Sequence, residues 1–258
     1  MKLDYGTQIS PVPIMLSIGS IRKPTLREIS EITFDKFMFY ETLMKLTPQF
    51  YYEKMCGEQE KSKWLSLSDK DKSRLELFDI IRGNTQLAEL YAEMLDYFFV
   101  ESIIYKEGYF IILKPGVEDS GELKAEDIKN AISEKTFQEI LELLQQICGI
   151  YEGAVEEQKF KNNLAKALFE KMLKGKKKEK KVDKNLSLPN IISSVCSKHP
   201  SLNYTNIWGL TMFQLIDTFN RIQMNTVYDI ESTRVSVWGD EKKTFDASLW
   251  YKNNFDTR

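Results

Sequence analysis

A mainly α-helical fold, a multi-helix bundle with one small β-hairpin and a smaller helical C-terminal module, is what this 258-residue sequence predicts. Three observations carry that expectation. Leu87, Leu90, Tyr91, Met94, Leu95 and Phe98 recur at the three-and-four spacing of one helical face, and Phe137, Ile140, Leu141, Leu144, Ile147 and Cys148 repeat the pattern. Thr25 with Glu28, and Thr211 with Gln214, have the spacing of capping boxes, in which a hydroxyl and a side-chain oxygen each satisfy a free backbone N–H at a helix start. A single stretch, 100–114, alternates as a strand pair does.

The elements follow in order. Residues 1–22, with Pro11, Pro13 and the β-favouring Ile14, Ile18 and Ile21, read as an extended arm or edge strand leading into Pro24. Thr25 opens a helix. Residues 34–46 are apolar on several sides, and Thr47-Pro48 suits an N-cap and first helical position for a short segment ending near Gly57. Ser68 begins a further helix that carries Leu75, Phe78 and Ile81 and stops at Gly83-Asn84. Thr85 caps the next. Around Glu107-Gly108, Ile104 and residues 109–113 form the predicted hairpin, which ends at Pro115-Gly116. A lone hairpin needs a support, and the flanking helices supply one.

Phe160, Leu164, Leu168 and Met172 mark another helix, which runs into Lys-Gly-Lys-Lys-Lys-Glu-Lys-Lys-Val-Asp-Lys at 174–184. So polar a tract buries too little apolar area to offset the cost of ordering it. The expected organisation is therefore an extended N-terminal arm (1–22), a helical domain with the hairpin (23–173), a lysine-rich linker (174–186) and a helical C-terminal module (187–258), opening with a Ser187-capped helix over 189–197.

Composition excludes several function classes. The 36 basic and 38 acidic side chains nearly cancel, so the whole chain exerts no general attraction for nucleic acid or an anionic membrane. Cys56, Cys148 and Cys196 are odd in number and widely spaced, which argues against a disulfide framework or zinc site and for a reducing compartment. Residues 12–21 hold Pro13 and Gly19 and lack a small-residue cleavage pattern, so they make a poor signal peptide. No run approaches the roughly 20 apolar residues that span a bilayer. A cytoplasmic protein without a membrane partner is expected.

Catalytic signatures are missing as well. The sequence holds no GxxxxGK[ST], GxGxxG, HExxH or GxSxG. The sole histidine, His199, precedes Pro200 and lacks the partners that base catalysis or metal binding requires, so a structural role is expected. Asp69, Asp71 and the acids around Glu118 and Glu122 suit helix starts and polar loops before they suit Mg²⁺. No catalytic residue, cofactor or metal is assigned, and a binding protein that is not an enzyme is the expectation.

Two features suit partner binding. Lys176, Lys177, Lys178, Lys180 and Lys181 can displace counterions from a polyanion, or simply keep a linker solvated; they lack the interleaved aromatics and arginines of a stacking site. In the C-terminal module, Met212, Ile216, Phe219, Ile222, Val227 and Ile230 form one stripe, with Phe213, Met224 and Tyr228 to another side. With Trp208, Trp238 and Trp250, that second set forms either a docking surface or the rest of one small core. Phe34, Tyr40, Tyr97 and Phe99 also fall off their helices' main stripes, where apolar patches for reversible binding would lie.

The run Ile207-Trp208-x-Leu210-Thr211-x-x-Gln214-Leu215-x-x-x-Phe219-x-Arg221, with Trp238-Gly239 and Phe245-Asp246-x-Ser248-x-Trp250-Tyr251, resembles proteins from tailed bacteriophages of Gram-positive hosts. The N-terminal Ile21-Arg22-Lys23-Pro24-Thr25-Leu26-x-Glu28-Ile29 shares that resemblance. It implies a helical, non-enzymatic tail assembly chaperone or morphogenesis protein in the host cytoplasm, holding a tape-measure or tube protein soluble until assembly. Two alternatives stay open: a structural tail or baseplate component of the virion, and a nucleic-acid-binding regulator using the lysine tract.

Overall fold

The computed structural model describes residues 2–52, 56–113, 131–150, 184–241 and 243–253. Among these are eleven α-helices and two two-stranded antiparallel sheets, so helix dominates as the apolar periodicity predicts. The predicted helix around 160–172, the lysines of 174–183 and the Pro115-Gly116 break lie outside the described residues. Chain contacts divide the protein into two units, each assembled from separated segments.

The first unit takes Val12–Lys23 and Asp35–Gln145. It begins with a hairpin of β1 (Ile14–Leu16) and β2 (Gly19–Ile21), in which Ile14 faces Ile21. Then come α3 (Phe34–Met44, whose first residue falls in the other unit), α4 (Pro48–Phe50), α5 (Glu58–Ser66), α6 (Asp69–Lys72), α7 (Leu77–Arg82) and α8 (Thr85–Phe98). A second hairpin, β3 (Ile103–Lys106) with β4 (Tyr109–Ile112), turns at Glu107-Gly108. Both turn residues have positive φ, 48° and 87°, the geometry whose twist matches a two-residue hairpin and which glycine adopts without strain. Finally α9 (Glu134–Ile147, whose last two residues fall in the other unit) lays down the stripe read from its sequence, with Phe137, Ile140, Leu141, Leu144, Ile147 and Cys148 all buried.

Phe137 is the centre of this core. Its ring lies 5.1 Å from Phe78 of α7, 5.5 Å from Tyr91 of α8 and 5.7 Å from Phe110 of β4, so one aromatic joins helices and hairpin. The buried Tyr91 hydroxyl donates to the Leu43 carbonyl at 2.7 Å and so enters the core satisfied. Burial pushes its pKa far above the usual phenol value, which keeps it a donor.

The second unit takes Lys2–Pro11, Pro24–Phe34 and the chain from Gln146. Its elements are α1 (Tyr5–Ile9), α2 (Leu26–Ile32), α10 (Leu188–Lys198) and the 27-residue α11 (Met212–Trp238), with short 3-10 turns at Lys184–Leu186, Ile207–Gly209 and Leu249–Tyr251. Both predicted capping boxes form. Thr25 accepts from Glu28 N and Thr211 from Gln214 N, and Glu28 and Gln214 reach back to the cap N–H groups. The two caps meet: Thr25 and Thr211 form an antiparallel bridge, and Leu26 N donates to the Leu210 carbonyl at 2.8 Å. Leu26, Ile29, Val195, Ile207, Phe213 and Leu215 are buried in this unit.

Several expectations are corrected. Residues 1–22 are not a simple extended arm: Asp4 accepts from Thr7 N at 2.8 Å and nucleates α1, while β1 and β2 pair with each other to make a second hairpin. The predicted helix from Ser68 to Gly83 is two helices. The single turn of α6 is Asp-Lys-Asp-Lys with nothing buried, so no packing propagates it, and α7 starts afresh where Leu77, Phe78, Ile80 and Ile81 are buried. Asn84, not Thr85, caps α8, accepting from Leu87 N. Tyr40 and Phe99, expected off the main stripes, are buried at 2% exposure. The helical domain does not run unbroken from residue 23, since 24–34 groups with the C-terminal segment through the Thr25–Thr211 bridge.

Candidate docking surface

α11 positions most of the residues expected to bind a partner. Its first turns are enclosed, with Met212, Phe213, Leu215 and Asp217 buried, and from there onward the helix has no buried residue. At 27 residues it is about 40 Å long by the rise of an α-helix, and it outruns the layer that covers its start. The exposed apolar residues gather at its far end: Ile230 is 60% exposed, Val237 63% and Trp238 76%. Positions i, i+7 and i+8 share one helical face, so the three make a stripe facing solvent.

This placement sorts the candidates. Trp238 and Trp250 are exposed, and Trp250 meets Tyr251 edge-on at 4.9 Å with both rings more than half in solvent. Trp208 is half-buried and donates its indole N–H to the Tyr204 carbonyl at 2.8 Å, a local tie within the turn that precedes α11. Met224 and Tyr228 are half-buried, and the Tyr228 ring lies 5.7 Å from Phe245. Phe213 is corrected: it is 1% exposed, packs on Tyr5 at 6.2 Å and is core rather than surface. Ile230, expected in the core stripe, is corrected the other way. The lysines 176, 177, 178, 180 and 181 lie outside the described residues.

One polar arrangement escaped the reading of the sequence. Asp217 is buried, accepts from the Tyr5 hydroxyl through Oδ2 at 2.9 Å and presents Oδ1 to Arg221 Nε at 3.7 Å. Arg221 Nη2 lies 3.4 Å from the same Tyr5 hydroxyl, and Nη1 donates to the Lys252 carbonyl at 2.9 Å. The guanidinium offsets the charge of the buried carboxylate from 3.7 Å without hydrogen-bonding its Oδ1, whereas either charge alone would be costly. Desolvation raises the Tyr5 phenol pKa, with Arg221 acting to lower it and Asp217 to raise it, so the hydroxyl stays protonated to donate. The i,i+4 spacing of Asp217 and Arg221 was the available signal, but nothing local names Tyr5, more than 200 residues away.

His199 has a local structural use: its Nδ1 accepts from Ser201 N at 3.2 Å and Leu202 N at 3.0 Å, closing the turn after α10. Asp69 and Asp71 sit in the first turn of α6, where Ser68 accepts from Asp71 N. Among the described residues, no group of three or more His, Cys, Asp or Glu side chains is placed to hold a metal, and no helix is long and apolar enough to cross a membrane.

Neither a curated protein nor a solved structure matches this chain. Residues 176–254 match the model of a protein family described as the YomV second domain, a phage-associated family. The match covers less than a third of the chain, takes in the lysine tract from Lys176 onward and all of α10 and α11, and fits a phage protein.

Proposed function

We propose that the protein is a phage tail assembly chaperone or accessory morphogenesis protein that binds a tail component through the far end of α11. The carrying observation is the stripe of Ile230, Val237 and Trp238, each at least 60% exposed on a helix whose opening turns are buried. An apolar stripe presented by a rigid helix suits insertion into a partner's groove, with tryptophan the residue type most enriched among binding hot spots. The match of residues 176–254 to a phage-associated family supports a phage context for the protein. The resemblance of Trp208 to Arg221 and of the N-terminal segment to tail proteins supports a tape-measure or tube protein as the client.

The test is co-expression with the tail tape-measure and tube proteins. A complex with one of them, recovered at stoichiometric ratio, is expected; retention of neither contradicts the proposal. Mass spectrometry of purified particles separates the chaperone from a structural component, since a chaperone is scarce in the virion and a structural protein is present at fixed copy number.

A further inference from the structure

We infer that the far half of α11 pairs with the same segment of a second copy of this chain, antiparallel and across a two-fold axis near Ser232. Beyond the enclosed start of the helix, Gln223, Val227, Ile230, Arg234 and Val237 recur at alternating intervals of four and three residues. That is the 3.5-residue repeat of a two-stranded coiled-coil seam, in which the side chains of one helix seat between those of the other. Gln223, Ile230 and Val237 are exposed, and Val227 and Arg234 are half-buried. Trp238 borders the seam at 76% exposure. Large apolar side chains left in solvent so close together on one helix mark a surface that is covered in use.

The occupant follows from the charges. Between Ile222 and Trp238 the charged residues are Asp229, Glu231 and Arg234. By helical spacing Asp229 lies behind the seam, Arg234 stands in the middle of it and Glu231 flanks it. Arg234 Nε and Nη2 both meet Glu231 Oε2, at 2.9 and 2.8 Å, which leaves Arg234 Nη1 and Glu231 Oε1 for a second pairing. Antiparallel pairing sets Val227 against Val237 of the second copy and Ile230 against its Arg234, so each guanidinium comes beside the other copy's Glu231. Two acids and two bases then close one neutral cluster, in a setting where an unpaired charge would be costly. A parallel pair would instead put Arg234 on Arg234, like charge on like, in the middle layer.

Because the same patch meets itself, the assembly closes at two copies. The segment from 223 to 238 spans about 24 Å by the rise of an α-helix. A contact of that length falls at the small end of specific interfaces, so the dimer is a weak, reversible one. This goes beyond the docking reading given above and stands without it, because no client enters; where both hold, client and second copy compete for one stripe.

The test is sedimentation of the full chain across a roughly hundredfold range of micromolar concentration, where a reversible dimer shows as mass rising with concentration. Ile230→Asp, at an exposed position outside the core, is expected to weaken dimerisation at least tenfold with an unchanged Tm. Arg234→Glu gathers four carboxylates and is expected to weaken it as much. The exchange of Glu231→Arg with Arg234→Glu rebuilds the cluster with its signs reversed and is expected to restore the dimer. For the direction of pairing, chains carrying Val227→Cys and Val237→Cys singly are mixed under mild oxidation, and the mixture is expected to cross-link faster than either chain alone. A chain that is monomeric at every concentration overturns the inference, as does a dimer indifferent to Ile230→Asp. A charge exchange no better than Arg234→Glu alone, or a Val227→Cys chain that cross-links fastest with itself, overturns the antiparallel pairing.

Discussion

Phe213 and Tyr228 show how two aromatics of one helix come to have opposite fates. Both stand apart from the stripe of Met212, Ile216 and Phe219, and spacing alone treats them alike. The difference lies in position along α11: Phe213 sits where the helix is enclosed and meets Tyr5, whereas Tyr228 lies beyond the last buried turn. Phe213→Ala should cost about 3–5 kcal/mol of stability in urea unfolding, the range for emptying a buried aromatic site, and a loss under ~1 kcal/mol would show the site is not core. Glu41 supplies a pH prediction. Burial raises its carboxyl pKa, and Lys45, 3.7 Å away, offsets this only in part. A carboxyl with a raised folded pKa binds more protons folded than unfolded, so its ionisation weakens the fold as pH rises through the ordinary carboxylate range. Glu41→Gln is therefore expected to raise the Tm at pH 7 and to lose that advantage near pH 4; a lower Tm at pH 7 would contradict the assignment.

At the scale of elements, what was legible in the sequence was what is local. The capping boxes at Thr25 and Thr211, the stripes of α8 and α9 and the Glu107-Gly108 turn are written within a few residues, and each forms as read. The α5 helix and the break after α6 were not legible, because their residues are mostly polar or charged and carry no strong apolar period. Nor does either cap announce that it meets the other, since Thr25 and Thr211 are joined only by the fold. Replacing either threonine by alanine is expected to cost about 1 kcal/mol. Because the two caps are in contact, the double variant should depart from the sum of the singles by at least ~0.5 kcal/mol in a double-mutant cycle. Additivity within error would mean that the bridge carries no energy of its own.

For the molecule as a whole, the sequence suggested domains laid end to end, and the structure instead builds each unit from separated segments. The reason is topological. Tyr5, Leu26 and the Thr25 cap are contributed to the unit of α11 from the far end of the chain, and no local period reports a partner two hundred residues away. A fragment of residues 187–258 alone is consequently expected to fold poorly, with helix content by circular dichroism recovering when 2–34 is supplied; a fully cooperative thermal transition of 187–258 on its own would contradict this composition of the unit. Of the proposed docking surface, Trp238 and Trp250 could be read from composition, but the exposure of Ile230 and Val237 could not, because it depends on where the enclosing layer ends. The most direct measurement is a pull-down of co-expressed tape-measure and tube proteins by the wild-type chain and by an Ile230→Asp, Val237→Asp, Trp238→Ala variant of matched Tm. The predicted result is a complex with the wild-type chain that weakens at least tenfold in the variant, as expected when a hot-spot tryptophan and its neighbours are removed; no complex with the wild-type chain, or equal retention by the variant, would contradict it.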